Sequence, residues 1–436
     1  MSENNLKMVL RRIILGVLII MAPISDRASA SELPPLPTDF SQIEIFLATR
    51  DIGAPVYSKY GHTIVRIVDH QNGSDIGYNW GTFDFTTPDF LPQFLKGILI
   101  YRMSFGPWSD EVEYTIEDRQ SMWLEKVNLT TKQKENVVRH IYTLALPENM
   151  SYRYYFFYDN CSTRVRDLFD GALGGKIKID TIGLMTGKSY RDRVIQHNAS
   201  APIFAMGQDV ILNREPDTEM SEWDDMFIPL YLRDYLLRTP AVDDDGKQIP
   251  GQMLLSDTQQ LANFAKQEIP AINGYAIFWI LAGLPSLAAA FFIRYTSHTK
   301  LGIRLAGFSN IVLGAIWGLF GIFMALSWAF GSHTVLPHNA NLWLMWPTDI
   351  LYFVFGLAIF FRGQWLSPSG RFWKLLVLLT RAHLVCIVIF VTIFLGKLFH
   401  QDVSRVVLWF APLTIIVFWP CIYAWKWMSP QESPIA

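Results

Sequence analysis

The sequence predicts an α+β exported domain followed by an all-α membrane domain of five transmembrane helices, and three observations carry that prediction. A basic, apolar and small-residue succession opens the chain, a mixed polar stretch with alternating β-formers follows, and near residue 270 the composition shifts to long apolar runs. Whole-chain averages, 51% hydrophobic and 14% aromatic with net charge −2, conceal that shift.

Lys7, Arg11 and Arg12 precede the apolar run Ile13 to Met21, and Ala28-Ser29-Ala30 offers a small-residue cleavage site, so residues 1–30 read as a secretory signal peptide. An uncleaved anchor is the alternative. The run is only about half of the roughly 20 residues that a bilayer requires, and Pro23, Asp26 and Arg27 end it. Residues 31–268 then form the exported domain, with a core at about 40–180 and a helical or irregular extension at about 181–268.

Within that domain, Ile43 to Leu47 and His62 to Val68 carry β-formers with partial alternation between turn residues and are predicted strands. Tyr78 to Phe85 and Ile100 to Phe105 are two more, separated by Pro88 and Pro92. Thr130 to Leu146 has helical spacing, with Thr130 as cap and Pro147 beyond its end. Tyr152 to Tyr158 reads as a strand running into a helix that opens at Cys161 and carries the apolar stripe Val165, Leu168, Phe169 and Leu173. Trp223, Met226, Phe227 and Tyr231 in the extension are expected to pack on the domain or to lie at a lipid surface.

From 269 to 436 five apolar segments follow, at approximately 274–293, 305–330, 342–361, 375–396 and 406–424, each near the length a helix needs to cross hydrocarbon. Arg294, Lys300 and Arg304 follow the first segment and Arg362, Arg371 and Lys374 the third, whereas Gly331 to Asn341 after the second has neither lysine nor arginine. The positive-inside rule therefore predicts a membrane protein with an exported N-terminal domain and a cytoplasmic C-terminus. Lys397 and Arg405 sit in an expected outer loop and violate the rule mildly. Asp349, Arg381 and His383 fall inside expected spans, where pairing or snorkelling is the ordinary explanation for charge. His333 and His338 lie in the expected outer loop and read as solvated. No repeat, low-complexity tract or charged tail is present, and no nucleic-acid partner is expected.

Cys161 is the one cysteine before residue 380, so an exported domain holding it cannot form an internal disulfide. At the first turn of a helix its thiol faces unpaired N–H groups and the positive end of the macrodipole, which favours the thiolate and suggests a nucleophile. Burial as a small core residue is the competing reading. A thiol nucleophile needs a base. His62, after Gly61 at the start of a strand, is the preferred histidine, while His70, His140 and His197 read as solvated surface. No spacing resembles a zinc site, and neither metal nor cofactor is expected. Asn160 is placed to cap the helix or to orient His62, and Arg164 to meet a lipid phosphate or to pair with Asp159 or Asp167.

Tyr60-Gly61-His62-Thr63-Ile64-Val65-Arg66-Ile67, Tyr78-Asn79-Trp80-Gly81-Thr82-Phe83-Asp84-Phe85 and Asp159-Asn160-Cys161-Ser162-Thr163-Arg164 resemble the Lnb N-terminal periplasmic domain, a family that includes bacterial lipoprotein N-acyltransferases. The likeness extends to Trp223 to Pro229 and, more loosely, to His333 to Trp346. The resemblance implies a permuted papain-like thiol fold of the NlpC/P60 kind, with histidine ahead of cysteine in the chain. It implies Cys161 and His62 as catalytic residues, with Tyr60, Asn160 and Arg164 as supporting candidates. The expected reaction moves an acyl chain from a phospholipid donor to the α-amino group of a lipoprotein's diacylglyceryl-cysteine through a Cys161 thioester. A cysteine amidase or endopeptidase acting on peptidoglycan and a non-catalytic membrane scaffold are the alternatives.

Overall fold

The structure is a computed structural model that describes residues 32–55, 58–82, 93, 96–265, 284–285, 287–293, 295–296, 298–366, 370–395, 400–408, 410, 413–414 and 418. The expected signal peptide and most of the first and fifth expected spans lie outside the described residues, as do residues 83–85 of the third expected strand. The chain divides into two compact units: residues 1–94, 98–190 and 219–269 form a sheet unit, and residues 95–97, 191–218 and 270–436 a helical one.

The sheet unit contains β1 (Ile43–Arg50), β2 (His62–Asp69), β3 (Ser74–Thr82), β4 (Ile100–Pro107), helix α1 (Trp108–Glu117), β5 (Met122–Val127), α2 (Thr131–Leu144), β6 (Ser151–Arg153), α3 (Cys161–Ala172), α4 (Lys176–Thr181) and β7 (Met185–Ser189). The helical unit then contributes α5 (Tyr190–His197, whose first residue still belongs to the sheet unit) and α6 (Pro202–Ile211). The sheet unit resumes with β8 (Glu219–Ser221), α7 (Glu222–Asp225), α8 (Pro229–Arg238), β9 (Pro240–Val242), β10 (Gln248–Met253) and β11 (Leu255–Ala262). Seven strands make one sheet in the order β11-β5-β1-β2-β3-β4-β6, antiparallel throughout.

Alternation along the central strands explains two apolar clusters. Ile43, Ile45, Leu47, Val65, Ile67, Tyr78 and Trp80 pack with Val137, Val138 and Ile141 of α2 and Val165, Leu168 and Phe169 of α3. Ala48, Ile64, Met122 and Leu124 pack with Trp108 of α1 in a second cluster. The helix expected after Thr130 forms with a full capping box, in which Thr130 accepts from the Gln133 N–H and Gln133 from the Thr130 N–H.

Three expectations are corrected here. The extension is not merely helical or irregular: β11 is an edge strand of the main sheet, and β7–β8 and β9–β10 are small sheets of their own. The β-strand expected over Tyr152 to Tyr158 stops at Arg153, because the chain turns, with Asp159 N–H donating to the Tyr155 carbonyl before α3 begins. His197 is buried rather than solvated.

In the helical unit, α9 (Lys300–Phe330), α10 (Ile350–Arg362) and α11 (Arg371–Leu395) are the described long segments. α9 and α11 are long and apolar enough to cross a membrane. The third expected span is shorter than its sequence suggests. Two 3-10 turns, Ala340–Trp343 and Pro347–Asp349, precede α10, whose 13 residues rise about 20 Å, less than a hydrocarbon core of about 30 Å. Glycines let α9 and α10 touch backbone to backbone: a Cβ added at Gly314 would lie 2.5 Å from the Phe353 N, and one at Gly307 2.8 Å from the Phe360 N.

Two of the three charged groups expected in the spans meet as a pair. Asp349 Oδ1 lies 3.2 Å from His383 Nδ1, both buried, and the Trp346 indole stacks on the imidazole at 4.5 Å. Arg381 is exposed. Arg405, the mild violation of the charge rule, donates to Asp209 Oδ2 at 3.1 Å and pairs with Asp402, so its charge is compensated locally. Asp209 also meets Arg191, a fully buried guanidinium bound to Asp217 and to the Leu212 and Asn213 carbonyls. His338 lines a cavity of about 640 Å³ with Arg214, Glu215 and His400.

Candidate active site

Cys161 is the first residue of α3, as its sequence predicts. Asn160 is the N-cap: its Oδ1 accepts from the Ser162 and Thr163 N–H groups at 2.8 and 2.9 Å, and its Nδ2 donates to the Phe156 and Phe227 carbonyls. All of its polar capacity is spent on the helix entry, so of the two roles open to it Asn160 takes the cap. Arg164 forms a two-point pair with Asp159 at 2.5 and 2.8 Å, and its guanidinium carbon lies 3.9 Å from the Tyr152 ring centre. Tyr60 meets Phe156 edge-on at 4.8 Å.

The pairing of β2 with β3 runs only to Ile64↔Asn79, so the backbone at Thr63 is released from that neighbour, and its N–H favours the charged form of the Cys161 thiol. Across from it, β3 bulges between Trp80 and Thr82. Gly81 takes φ +106 there, and a Cβ on it would lie 3.9 Å from the Cys161 Cβ. Gly61, at φ +77, turns the chain into β2, and a Cβ on it would press on the Arg50 carbonyl at 2.5 Å. The thiol and the end of β3 thus meet where the ladder opens, while the imidazole of His62 is turned to Asn79 and no hydrogen bond joins it to the sulfur.

His62 does not stand alone. Its Nε2 lies 2.9 Å from Asn79 Oδ1, Asn79 Nδ2 donates to Glu111 Oε1 at 2.6 Å, and Arg50 Nη2 donates to Glu111 Oε2 at 2.6 Å. Asn79, Glu111 and Arg50 escaped the sequence reading. Asn79 was legible in principle, because an asparagine is out of place in a central strand and this one sits inside Tyr78-Asn79-Trp80-Gly81. Glu111 and Arg50 carried no local signal, since only the sheet and α1 bring them to Asn79.

Burial dominates the electrostatics. It pushes the Cys161 thiol up to about 11, against the N–H groups of Thr63, Ser162 and Cys161 itself, which lower it. It brings the His62 imidazole down to about 4, helped by the Arg50 charge and opposed by the Asn79 bond. Sequence reasoning expects the helix start to yield a thiolate, but a helix terminus contributes only about 0.3–1 kcal/mol while each unit of pKa corresponds to about 1.4 kcal/mol. Desolvation therefore wins, and the resting pair is thiol and neutral imidazole. Burial likewise raises the Tyr101 phenol to about 12, with Cys161 adding to it, and Tyr152 and Tyr154 are raised for the same reasons. These tyrosines give the sulfur an aromatic surround, with Tyr101 and Tyr154 stacked at 4.2 Å. Among the described residues no group of histidine, cysteine, aspartate and glutamate side chains is arranged to hold a metal.

Residues 37–191, from the run-in to β1 through the start of α5, match the family model of the Lnb N-terminal periplasmic domain. The segment belongs to that family. Strands β1 to β4, the whole His62–Asn79–Glu111–Arg50 chain and Cys161 all fall within the Lnb domain, while β11 and the helical unit after residue 191 lie beyond it. No curated protein and no solved structure matches the chain. With a periplasmic Lnb domain at its N-terminal side and two apolar helices of membrane-crossing length after it, the chain is a membrane protein with an N-terminal periplasmic part.

Proposed function

We propose that the protein is a thiol acyltransferase of the bacterial inner membrane, with a permuted papain-like catalytic domain and a multi-pass membrane domain. The observation that carries the reading is the thiol at the first turn of α3, where backbone N–H groups including that of Thr63 favour its charged form, with His62 one residue before Thr63 in β2 and held by a polar partner of its own.

The reaction begins when a phospholipid ester enters. His62 takes the Cys161 proton as the sulfur attacks the ester carbonyl, and collapse of the tetrahedral intermediate breaks the acyl C–O bond. His62 then gives its proton to the departing lysophospholipid oxygen, leaving an acyl thioester on Cys161. The α-amino group of a lipoprotein's diacylglyceryl-cysteine attacks that thioester, His62 receives the amine proton, and the restored thiolate takes it back. The N–H groups of Cys161 and Thr63, which favour the charged form of the thiol, are the donors available to the oxyanion. Transfer of a proton from a thiol at about 11 to an imidazole at about 4 is uphill, so in this scheme the proton leaves as the sulfur bonds the carbonyl rather than before it. An acyl donor confined to a bilayer also explains why the domain is joined to apolar helices rather than secreted free.

The test is mass spectrometry of the detergent-purified chain after incubation with labelled phospholipid. An acyl adduct on Cys161 that a lipopeptide amine discharges is expected, and Cys161→Ala should show neither step. An acylated lipopeptide made by Cys161→Ala overturns the thioester route, and cleavage of muropeptides without lipid replaces the reading with an amidase.

A further inference from the structure

Asn79 bonds two partners of different character, and the difference carries information. An asparagine amide has one end that accepts and one that donates, and its orientation is set by its neighbours. Glu111 is the neighbour that decides. Its carboxylate lies 2.6 Å from Arg50 Nη2, with the two side chains 12% and 7% exposed, and Arg50 also donates to the Glu111 backbone carbonyl at 3.0 Å. An ionised carboxylate has no proton to donate, so the atom of Asn79 facing it must be the NH2 group. The amide oxygen is then turned to His62, 2.9 Å from Nε2, and it can only accept.

We propose that the buried Arg50–Glu111 pair fixes the tautomer of His62: through the orientation of Asn79 it holds the proton on Nε2 and leaves Nδ1 as the basic nitrogen. Asn79, Glu111 and Arg50 are positioning residues, none of which touches the thiol or a substrate in this scheme. The device has a physical economy, because the imidazole is kept neutral while one of its nitrogens is denied the proton. A histidine with both tautomers populated would spend part of its time with a protonated Nδ1, unable to act as the base at that atom.

The inference rests on the acyl-transfer reading only for its kinetic consequence, and its primary test does not use that reaction. The full chain, labelled with 15N-histidine and kept in detergent at neutral pH, should give a His62 signal with protonated Nε2 and unprotonated Nδ1, assigned by its loss in His62→Ala. A His62 signal with protonated Nδ1, or with both nitrogens protonated, overturns the proposal in the unmodified protein. In Glu111→Gln the side chain can donate or accept, the Asn79 amide is free to turn, and a mixture of tautomers is expected with roughly a tenfold fall in kcat and little change in KM. Arg50→Lys leaves a cation beside Glu111 and should keep the single tautomer even where it costs stability. Glu111→Gln that folds, judged by an unchanged thermal transition, and keeps one pure Nε2–H tautomer also overturns the proposal. If the tautomer is as stated but no acyl adduct forms on Cys161, the acyl-transfer reading fails and the relay stands.

Discussion

At the scale of single residues, the governing quantity is the desolvation of the two groups to which the acyl-transfer proposal assigns a proton exchange. Burial leaves Cys161 at about 11 and His62 at about 4, so neither is ionised at neutral pH. A consequence separates this site from a preformed thiolate–imidazolium pair. With the thiol raised from its ordinary 9.0, the thiolate fraction below pH 9 is about a hundredfold smaller than that of a free cysteine, so alkylation of Cys161 by iodoacetamide should be slow at pH 8 and accelerate up to about pH 11. Mass-spectrometric rates across that range check it, with Cys386 resolved as a separate peptide. A fast, pH-independent reaction down to pH 6 would show that the ion pair exists at rest.

At the scale of elements, the nucleophile is as well placed as its helix entry allows. Asn160 satisfies two N–H groups of α3 and two carbonyls of neighbouring turns, so Asn160→Ala removes a cap and leaves buried acceptors without donors. The expected loss is about 2 kcal/mol, read as a lowered thermal transition, and Asn160→Asp, which keeps the cap but not the donors, should fall between the two. The α3 helix, its cap and Cys161 at its first turn were all legible because capping and helical periodicity are local properties of the chain. The 13-residue extent of α10 was not, because Leu342 to Trp346 is as apolar and aromatic as a crossing segment, and only Pro347 with the Asp349 carboxylate accepting the Trp346 N–H shows the turn. Strand β11 was hidden for a different reason. Its residues Asp257, Thr258, Gln259 and Gln260 are polar and exposed, as an edge strand permits, so it lacks the alternation by which β2 is recognised. The relay behind His62 depends on the register of β2 with β3 and on the approach of α1, and no spacing in the sequence encodes either.

At the scale of the whole molecule, the division into units does not follow the chain. Residues 191–218 belong with the helical unit although sheet-unit sequence lies on both sides of them. Their attachments are specific: the Val210 carbonyl accepts from Asn339 and Asn341, the Leu212 carbonyl from Gln401, the Val335 carbonyl from the Asn213 N–H, and Asp209 from Arg405. Residues 32–265 produced alone are therefore expected to keep the sheet but to be cut by protease within 191–218 at sites that the full chain protects, a difference that limited proteolysis followed by peptide mapping will reveal. Equal protection in both would mean that this segment is stabilised by the sheet unit instead.

The path of the chain has one more implication, for turnover in the envelope. A protease that severs the backbone once after Ala262 does not shed the sheet unit, because residues 191–218 remain moored among the apolar helices and stay continuous with β7 on one side and β8 on the other. Release demands further scissions flanking both that loop and residues 95–97, which also belong to the helical unit, so a nicked molecule stays attached to its apolar helices.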